Sequence, residues 1–383
     1  MNILIIFHTP INAGYAMAAL ERTFYEVALR ITNNMDEIYF AFSGIDNAPP
    51  TSLPTEFENY FELNPEKLHD KRYFNKKLLE LNSLDINFAL CFDLQPSGKM
   101  VSILRKCHIG KIVSYWGSTM SSLNTGAKLL LKKIELHLSR DKPDLFIFES
   151  ESMRHFATHG RGLARNITTV IPTGVDTKRL APLPLNGGAD VLDEFSVPTA
   201  SKVAIYSGHM EERKGVHILI QAMKILFDSY DNHRWHFLIC GNRPGEEQRF
   251  IEMLAAHPAK KNVTFCGYRN DLHSLMPACD IGLIASTGWD SFPMSALEMA
   301  SCGLPIVVSA LQGLTETLED GVTGMTFEPG NSAQLAMILN ELSSSDDRLR
   351  KMSLAARRRI IDGFSLENQH NTLETTIRSI LNS

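Results

Sequence analysis

Short apolar runs recur along this chain, and the longer segments between them repeat their apolar positions at helical spacing. A short apolar run bounded by turn formers reads as a strand buried on both faces, and such strands alternating with amphipathic helices build covered parallel sheets. The pattern predicts strands over residues 2–7, 37–42, 87–92, 111–115, 144–148 and 168–171, then over 202–206, 236–240, 263–266, 281–285, 305–308 and 325–327. Between the two sets, Pro172, Pro182, Pro184, Gly187, Gly188 and Pro198 interrupt any regular element, so the domain boundary is expected there. The expected organisation is an N-terminal domain of residues 1–180, a C-terminal domain of residues 181–364, and a last helix within 365–383 that packs back on the first domain. Both domains read as α/β and doubly wound. In open parallel sheets of that kind ligands bind beyond the carboxyl ends of the strands, and two such domains facing each other enclose a cleft.

Composition narrows the class. The 383 residues exceed what one core usually fills and suit two domains of about 150 to 200 residues. Hydrophobic residues make up 44% and charged residues 21%, with no low-complexity tract and no apolar run near the roughly 18 residues of a membrane span. The opening MNILIIFH lacks the basic lead and small-residue cleavage site of a signal peptide, so a cytoplasmic chain is expected. Cys91, Cys107, Cys240, Cys266, Cys279 and Cys302 lie scattered in apolar segments without a C-x-x-C pair, which fits neither a disulfide framework nor a zinc site. A net charge of −5 argues against general nucleic-acid binding. The 13 histidines show no H-E-x-x-H spacing, and no metal or cofactor is expected.

Candidate chemistry concentrates in DSFPMSALEMASCGLPIVVS, residues 290–309. Here a strand exit runs into a helix that opens near Pro293, a residue favoured at the first helical position, and stops at Gly303. The free N–H groups around Met294, Ser295 and Ala296 then lie at the positive end of the helix dipole, where a phosphate is stabilised. Glu298 sits one turn further along, among Ala296, Leu297, Met299 and Ala300. Most glutamates on helices are solvated, but this helix has no polar stripe for Glu298 to join, and a carboxylate so placed calls for hydroxyl donors. Asp290 is either a partner in that site or a loop cap. A second element, SGHMEERKG at 207–215, follows a strand and places Arg213 and Lys214 where they neutralise a diphosphate; its spacing is not that of a P-loop. The third is HTPINAGYAMAALERTF at 8–24, where Gly14 and the small residues after it let backbone approach a ligand, although a plain turn explains it equally well.

Together these elements resemble the retaining nucleotide-sugar glycosyltransferases of family 4, which have the two-domain GT-B fold. The resemblance covers nearly the whole chain and rests on IPTGVDTKRLAP (171–182), SGHMEERKG, VTFCGYRNDLHSLMPACDIGLIAS (263–286), a D-x(7)-E version of the family's E-x(7)-E motif at Asp290 and Glu298, and LPIVVSALQGLTETLEDGVTGMTF (304–327). It implies that Lys214 binds the donor diphosphate, Glu298 the ribose hydroxyls and Asp290 the hydroxyls of the transferred sugar, these three carrying the catalysis. Backbone N–H groups at Met294, Ser295 and Ala296 would cradle phosphate, and the backbone at Tyr268 and Arg269 would meet the nucleobase. Gly14, Gly208, His209, Arg213 and Phe292 complete the implied donor site. The implied reaction is a metal-independent transfer, with retention, from a nucleotide-diphosphate sugar to a glycan or lipid-linked acceptor in surface polysaccharide or glycolipid synthesis.

Departures from the family pattern qualify this expectation. His209 stands where the family usually has arginine, so Arg213 is a candidate for part of that role. Asp290-Ser291-Phe292-Pro293 replaces the usual Glu-Gly-Phe-Gly, shortening one carboxylate and removing one N–H. In IVSYWGSTM (112–120), Trp116 replaces a histidine that contacts sugar in many relatives; it is a candidate to stack on an acceptor sugar, against the plain reading of a core tryptophan. Residues 99–142 carry Lys99, Arg105, Lys106, Lys111, Lys128, Lys132, Lys133, Arg140 and Lys142 against Glu135 and Asp141. Within them GAKLLLKKIELHLSRDK reads as a helix whose leucines pack inward beneath solvated lysines, the other reading being a face resting on anionic lipid as a peripheral anchor. An idle sugar-nucleotide binder is the alternative function. A glycosidase using Asp290 and Glu298 has no use for Lys214 or a phosphate-ready helix start, and GRGLAR (160–165) lacks the third glycine of a dinucleotide fingerprint.

Overall fold

In the computed structural model, the described residues are 1–46, 48–120, 122–139, 141–183, 189–198 and 200–383. Arg140, Pro184, Gly187 and Gly188 lie outside them. The chain forms two compact units, Met1–Pro172 with Glu367–Ser383, and Thr173–Leu366.

The first unit holds seven parallel strands, β1 (Asn2–Phe7), β2 (Ile38–Phe42), β3 (Tyr60–Glu62), β4 (Ile86–Phe92), β5 (Lys111–Trp116), β6 (Leu145–Phe148) and β7 (Thr168–Val170), in the order β3-β2-β1-β4-β5-β6-β7. Successive side chains of a strand leave opposite faces, and β1 supplies both cores at once. Ile3, Ile5 and Phe7 join Phe24, Phe40 and Phe42 on one side, while Leu4 and Ile6 join Ala89, Leu104 and Ile112 on the other. The helix Leu366–Leu381 adds Leu373 and Ile377 to the first of these cores, and Arg30 ties its start through Glu367 (3.0 Å) and Asn371 (2.9 Å).

The second unit holds six parallel strands, β8 (Lys202–Ser207), β9 (Trp235–Cys240), β10 (Val263–Gly267), β11 (Ile281–Ile284), β12 (Ile306–Ser309) and β13 (Gly324–Phe327), in the order β10-β9-β8-β11-β12-β13. Central β8 again feeds both sides, Ala204 and Tyr206 into one core, Val203 and Ile205 into the other. The helix Met294–Ser301 lies on β11 at Gly282, where any Cβ would come within 2.4 Å of the Met299 sulfur. Only glycine allows that approach.

Three sequence expectations shift. Strand β3 is not predicted: it has three half-buried residues at a sheet edge, too short to show a period. The chain divides at Pro172, the first of the boundary prolines and short of the residue 180 expected as the end of the first domain, because residues after it are bound into the second unit. Val175 exchanges backbone bonds with Phe364 (2.9 Å) and Leu366 (3.0 Å), and Arg357 donates to the carbonyls of Thr177 and Leu180, each at 2.7 Å. The leucines of the helix Gly126–Leu138 do not pack inward: Leu136 is the residue buried there, and Leu130, Leu131, Ile134 and Leu138 are exposed.

Candidate functional site

In the second unit the strand order reverses between β8 and β11, since β9 and β10 extend the sheet one way from β8 and β12 and β13 extend it the other way from β11. The loops that leave these two neighbours lie at the carboxyl edge beside the reversal, the place where open α/β sheets bind ligands. Both phosphate-friendly sequence elements sit there. The loop after β8 closes in a turn over Glu212–Lys214, and Gly215 adopts φ 73° before the helix Val216–Tyr230. A Cβ on Gly215 would lie 1.7 Å from the Ala285 carbonyl oxygen, so only glycine lets this loop press against the exit of β11.

That contact brings Lys214 onto Asp290. The Lys214 Nζ donates to Asp290 Oδ2 at 2.9 Å, and the Ser286 hydroxyl donates to the same oxygen at 2.7 Å. Both charged side chains are largely buried. The loops are also laced by backbone: Thr287 N–H donates to the Arg213 carbonyl at 2.7 Å, and the Arg213 guanidinium reaches back to the Trp289 carbonyl at 3.0 Å. Arg213 also pairs with Glu211 at 2.7 Å, so it acts as a strap between loops. His209 is exposed, while its carbonyl accepts from Tyr206 at 2.7 Å. Burial first, and the Asp290 charge second, push the Tyr206 phenol far above its ordinary value, which keeps it a donor. Gly208 donates its N–H to the Cys240 carbonyl at 3.1 Å.

The helix Met294–Ser301 begins one residue later than expected. Pro293 is its cap, extended at φ −70° and ψ 124°, and makes no side-chain cap bond. The Pro293 carbonyl accepts from Ala296 N–H at 3.1 Å. With the Ala296 amide turned to that carbonyl, the amides of Met294 and Ser295 are the ones this first turn leaves open to an anion. Phe292 is buried with its ring 5.8 Å from Phe364, anchoring the loop to the core. Glu298 is 6% exposed. Burial, then the Glu298 charge, push the neighbouring Cys302 thiol up to about 12.

At the carboxyl ends of β9 and β10 the loops are joined by Gly241 N–H to the Gly267 carbonyl (2.7 Å) and Gly267 N–H to Asn242 Oδ1 (2.9 Å). Tyr268 is exposed beside them. The Arg269 side chain is committed to Asp271 at 2.8 Å through Nε and to Glu194 at 2.7 Å, and stacks 5.3 Å over Phe195, so its backbone is what remains for a ligand.

In the first unit Gly14 precedes the helix Tyr15–Thr32 with φ 125° and open space around it. Trp116, 1% exposed at the end of β5, presents no ring face to solvent, and its Nε1 has no hydrogen-bond partner among the described residues. The order of this sheet reverses between β1 and β4, whose exits carry His8 and Asp93, two residues that sequence reading passed over. Asp93 accepts from Gly117 N–H (2.9 Å) and the Ser118 hydroxyl (2.7 Å), and burial raises its carboxyl above the usual range against those bonds. Ser286 was also passed over. Nothing but its place at the exit of β11 marks it in the sequence.

Residues 192–359 match the family described as glycosyl transferases group 1. The D-inositol 3-phosphate glycosyltransferase of Corynebacterium urealyticum is 26% identical over 246 residues, 63% of this chain and 58% of that protein. The UDP-Gal:alpha-D-GlcNAc-diphosphoundecaprenol alpha-1,3-galactosyltransferase of Escherichia coli is 25% identical over 198 residues, 52% of this chain and 50% of that one. The chain thus spans little more than half the length of these curated relatives. Among solved structures, Anabaena HepE in complex with UDP superposes with a TM-score of 0.77 at 18% identity, over 99% of this chain and 100% of that one, which makes the fold GT-B.

Proposed function

We infer that this chain, whose residues 192–359 match the glycosyl transferases group 1 family, is a retaining glycosyltransferase that moves a sugar from a nucleotide-diphosphate donor to a glycan or lipid-linked acceptor. The observation that carries the reading is the second unit's reversal point, where a largely buried lysine, the first turn of a short helix and a buried glutamate stand at adjacent strand exits. In this reading Lys214 and the Met294 and Ser295 amides hold the diphosphate, Glu298 accepts from the ribose hydroxyls, and Asp290, its Oδ2 engaged by Lys214 and Ser286, offers Oδ1 to the transferred sugar. The backbone beside Tyr268 and Arg269 lies along the nucleobase, and neither a metal nor a resident cofactor is required.

The main electrostatic task of such a transfer is to stabilise the leaving diphosphate, and one cation with two helix amides performs it. The bond from the anomeric carbon to phosphate oxygen breaks while the acceptor hydroxyl oxygen bonds the same face. The acceptor proton passes to the departing phosphate oxygen, so charge balances without a protein base. Two similar proteins support the choice of partners: Anabaena HepE binds UDP, and the Escherichia coli relative acts on a diphosphoundecaprenol-linked acceptor. We assign this chain an acceptor of that lipid-linked kind, in surface polysaccharide or glycolipid synthesis, with the protein in the cytoplasm and peripheral to the membrane.

Titration calorimetry with UDP and GDP, followed by an assay for slow donor hydrolysis, tests the reading. Binding with turnover supports it. Binding without turnover under any acceptor identifies an idle sugar-nucleotide binder, and no binding to either nucleotide overturns the site.

A further inference from the structure

The helix Gly126–Leu138 of the first unit presents an unusual surface. Leu130, Leu131, Ile134 and Leu138 follow one another at i, i+1, i+4 and i+8, a spacing that gathers them on one face. Soluble surfaces scatter single leucines, but here the strip is continuous, with Leu131 66% and Leu138 73% exposed. The helix is held to the unit by the buried Leu136 and by Glu135, which accepts from Arg161 at 2.8 Å and, within the helix, from Lys132 at 3.2 Å. Beside the strip, the exposed Lys128 and Lys133 are left as cations.

We propose that this face is a docking surface for an anionic lipid bilayer, the leucines entering the boundary between headgroups and acyl chains while Lys128 and Lys133 meet lipid phosphates. Charge decides the occupant. The acid of this helix, Glu135, is already engaged by Arg161 and Lys132, so the borders of the strip are of one sign. A second copy of the chain would bring like charges together, whereas an anionic surface complements them. Among the described residues no helix is long and apolar enough to cross a membrane, and a surface-lying helix needs no such length. The inference deepens the reading of a lipid-linked acceptor, on which the choice of a bilayer rests, because a surface helix holds the enzyme where that acceptor is presented.

Flotation of the full chain with vesicles tests it, using phosphatidylcholine alone and phosphatidylcholine mixed with phosphatidylglycerol, at low and moderate salt. The expected result is binding to the anionic vesicles that weakens with salt. Leu131→Ser with Leu138→Ser should lower the bound fraction at least about tenfold, since each buried leucine contributes a large share of such partitioning. Lys128→Gln with Lys133→Gln should lower it by a similar factor and remove the salt dependence. Both pairs should keep the UDP-induced melting shift of the wild type, which shows that unit folding and donor site are intact. Absence of wild-type binding at both salts, or leucine variants that float like the wild type, overturns the proposal. So does a wild-type dimer in solution that the leucine changes convert to monomer. Vesicle binding without UDP binding sinks the donor site and leaves this surface standing, so the two failures are told apart.

Discussion

Replacing Lys214 by methionine keeps the apolar stem and deletes one charge, so it isolates what the Lys214–Asp290 pair contributes. At 2.9 Å two unit charges attract by about 6 kcal/mol in an effective dielectric of about 20, and desolvation of two largely buried groups cancels much of that. Deleting one partner is worse than never having the pair, because it strands Asp290, which is 6% exposed, with the Ser286 hydroxyl as its remaining donor. Breaking buried pairs typically costs about 3–5 kcal/mol, and the surviving Ser286 bond reduces this to about 2–4 kcal/mol for Lys214→Met. Adding Asp290→Asn removes the stranded charge and should restore about half of the loss or more. Function separates from stability at this point: the double variant recovers that share of its urea midpoint but not its UDP binding, because no cation meets the diphosphate. Urea unfolding of the wild type, both single variants and the double, each with and without UDP, gives the full cycle. A Lys214→Met midpoint equal to the wild type's, or a double variant that binds UDP as tightly as the wild type, refutes the reasoning.

Three further outcomes follow from the same geometry. Glu298→Ala should weaken UDP binding by about tenfold to a hundredfold through loss of a charged acceptor for ribose hydroxyls; calorimetry checks it, and unchanged affinity removes Glu298 from the donor site. Gly215→Ala puts a Cβ 1.7 Å from the Ala285 carbonyl oxygen at φ 73°, so the loop must move; a loss of at least about 2 kcal/mol in urea unfolding is expected, and wild-type stability contradicts the described packing. His236 is buried on Thr264 (2.8 Å), and burial holds its imidazole below the ordinary range. Above about pH 6.5 both folded and unfolded chains keep it neutral, and as the pH falls from there towards the depressed folded value only the unfolded chain takes up the proton, so stability falls by up to about 1.4 kcal/mol per pH unit. His236→Gln should flatten the drop in urea midpoint between about pH 7.5 and about pH 5.5, and an unaltered slope counts against this source of acid sensitivity.

Sequence made the central sheets legible because strands buried on both faces are apolar throughout, as β1 and β8 are, and that signal survives without neighbours. It fails where tertiary context decides. Strand β3 is held at an edge by pairing with β2 and carries no pattern of its own. The leucines of the helix Gly126–Leu138 repeat as a core face would, and periodicity alone cannot say whether protein covers it. At the candidate site, Glu298 was readable because a carboxylate among apolar neighbours on a short helix demands an explanation. Lys214 and Asp290 were readable singly, but their contact and the role of Ser286 depend on β8 and β11 being neighbours, which no local pattern states. The Ala296 amide illustrates the finest scale: one residue of difference in the helix start gave its hydrogen bond to Pro293. His8 and Asp93 became visible only when the strand order located the reversal in the first sheet.

A crystal structure of the chain soaked with UDP tests the central claim most directly. The account predicts the diphosphate within hydrogen-bonding distance of the Lys214 ammonium and of the Met294 and Ser295 amides, with both ribose hydroxyls on the Glu298 carboxylate. A nucleotide bound away from the exits of β8 and β11, or a Glu298 side chain turned out to solvent beside an ordered ribose, would contradict it.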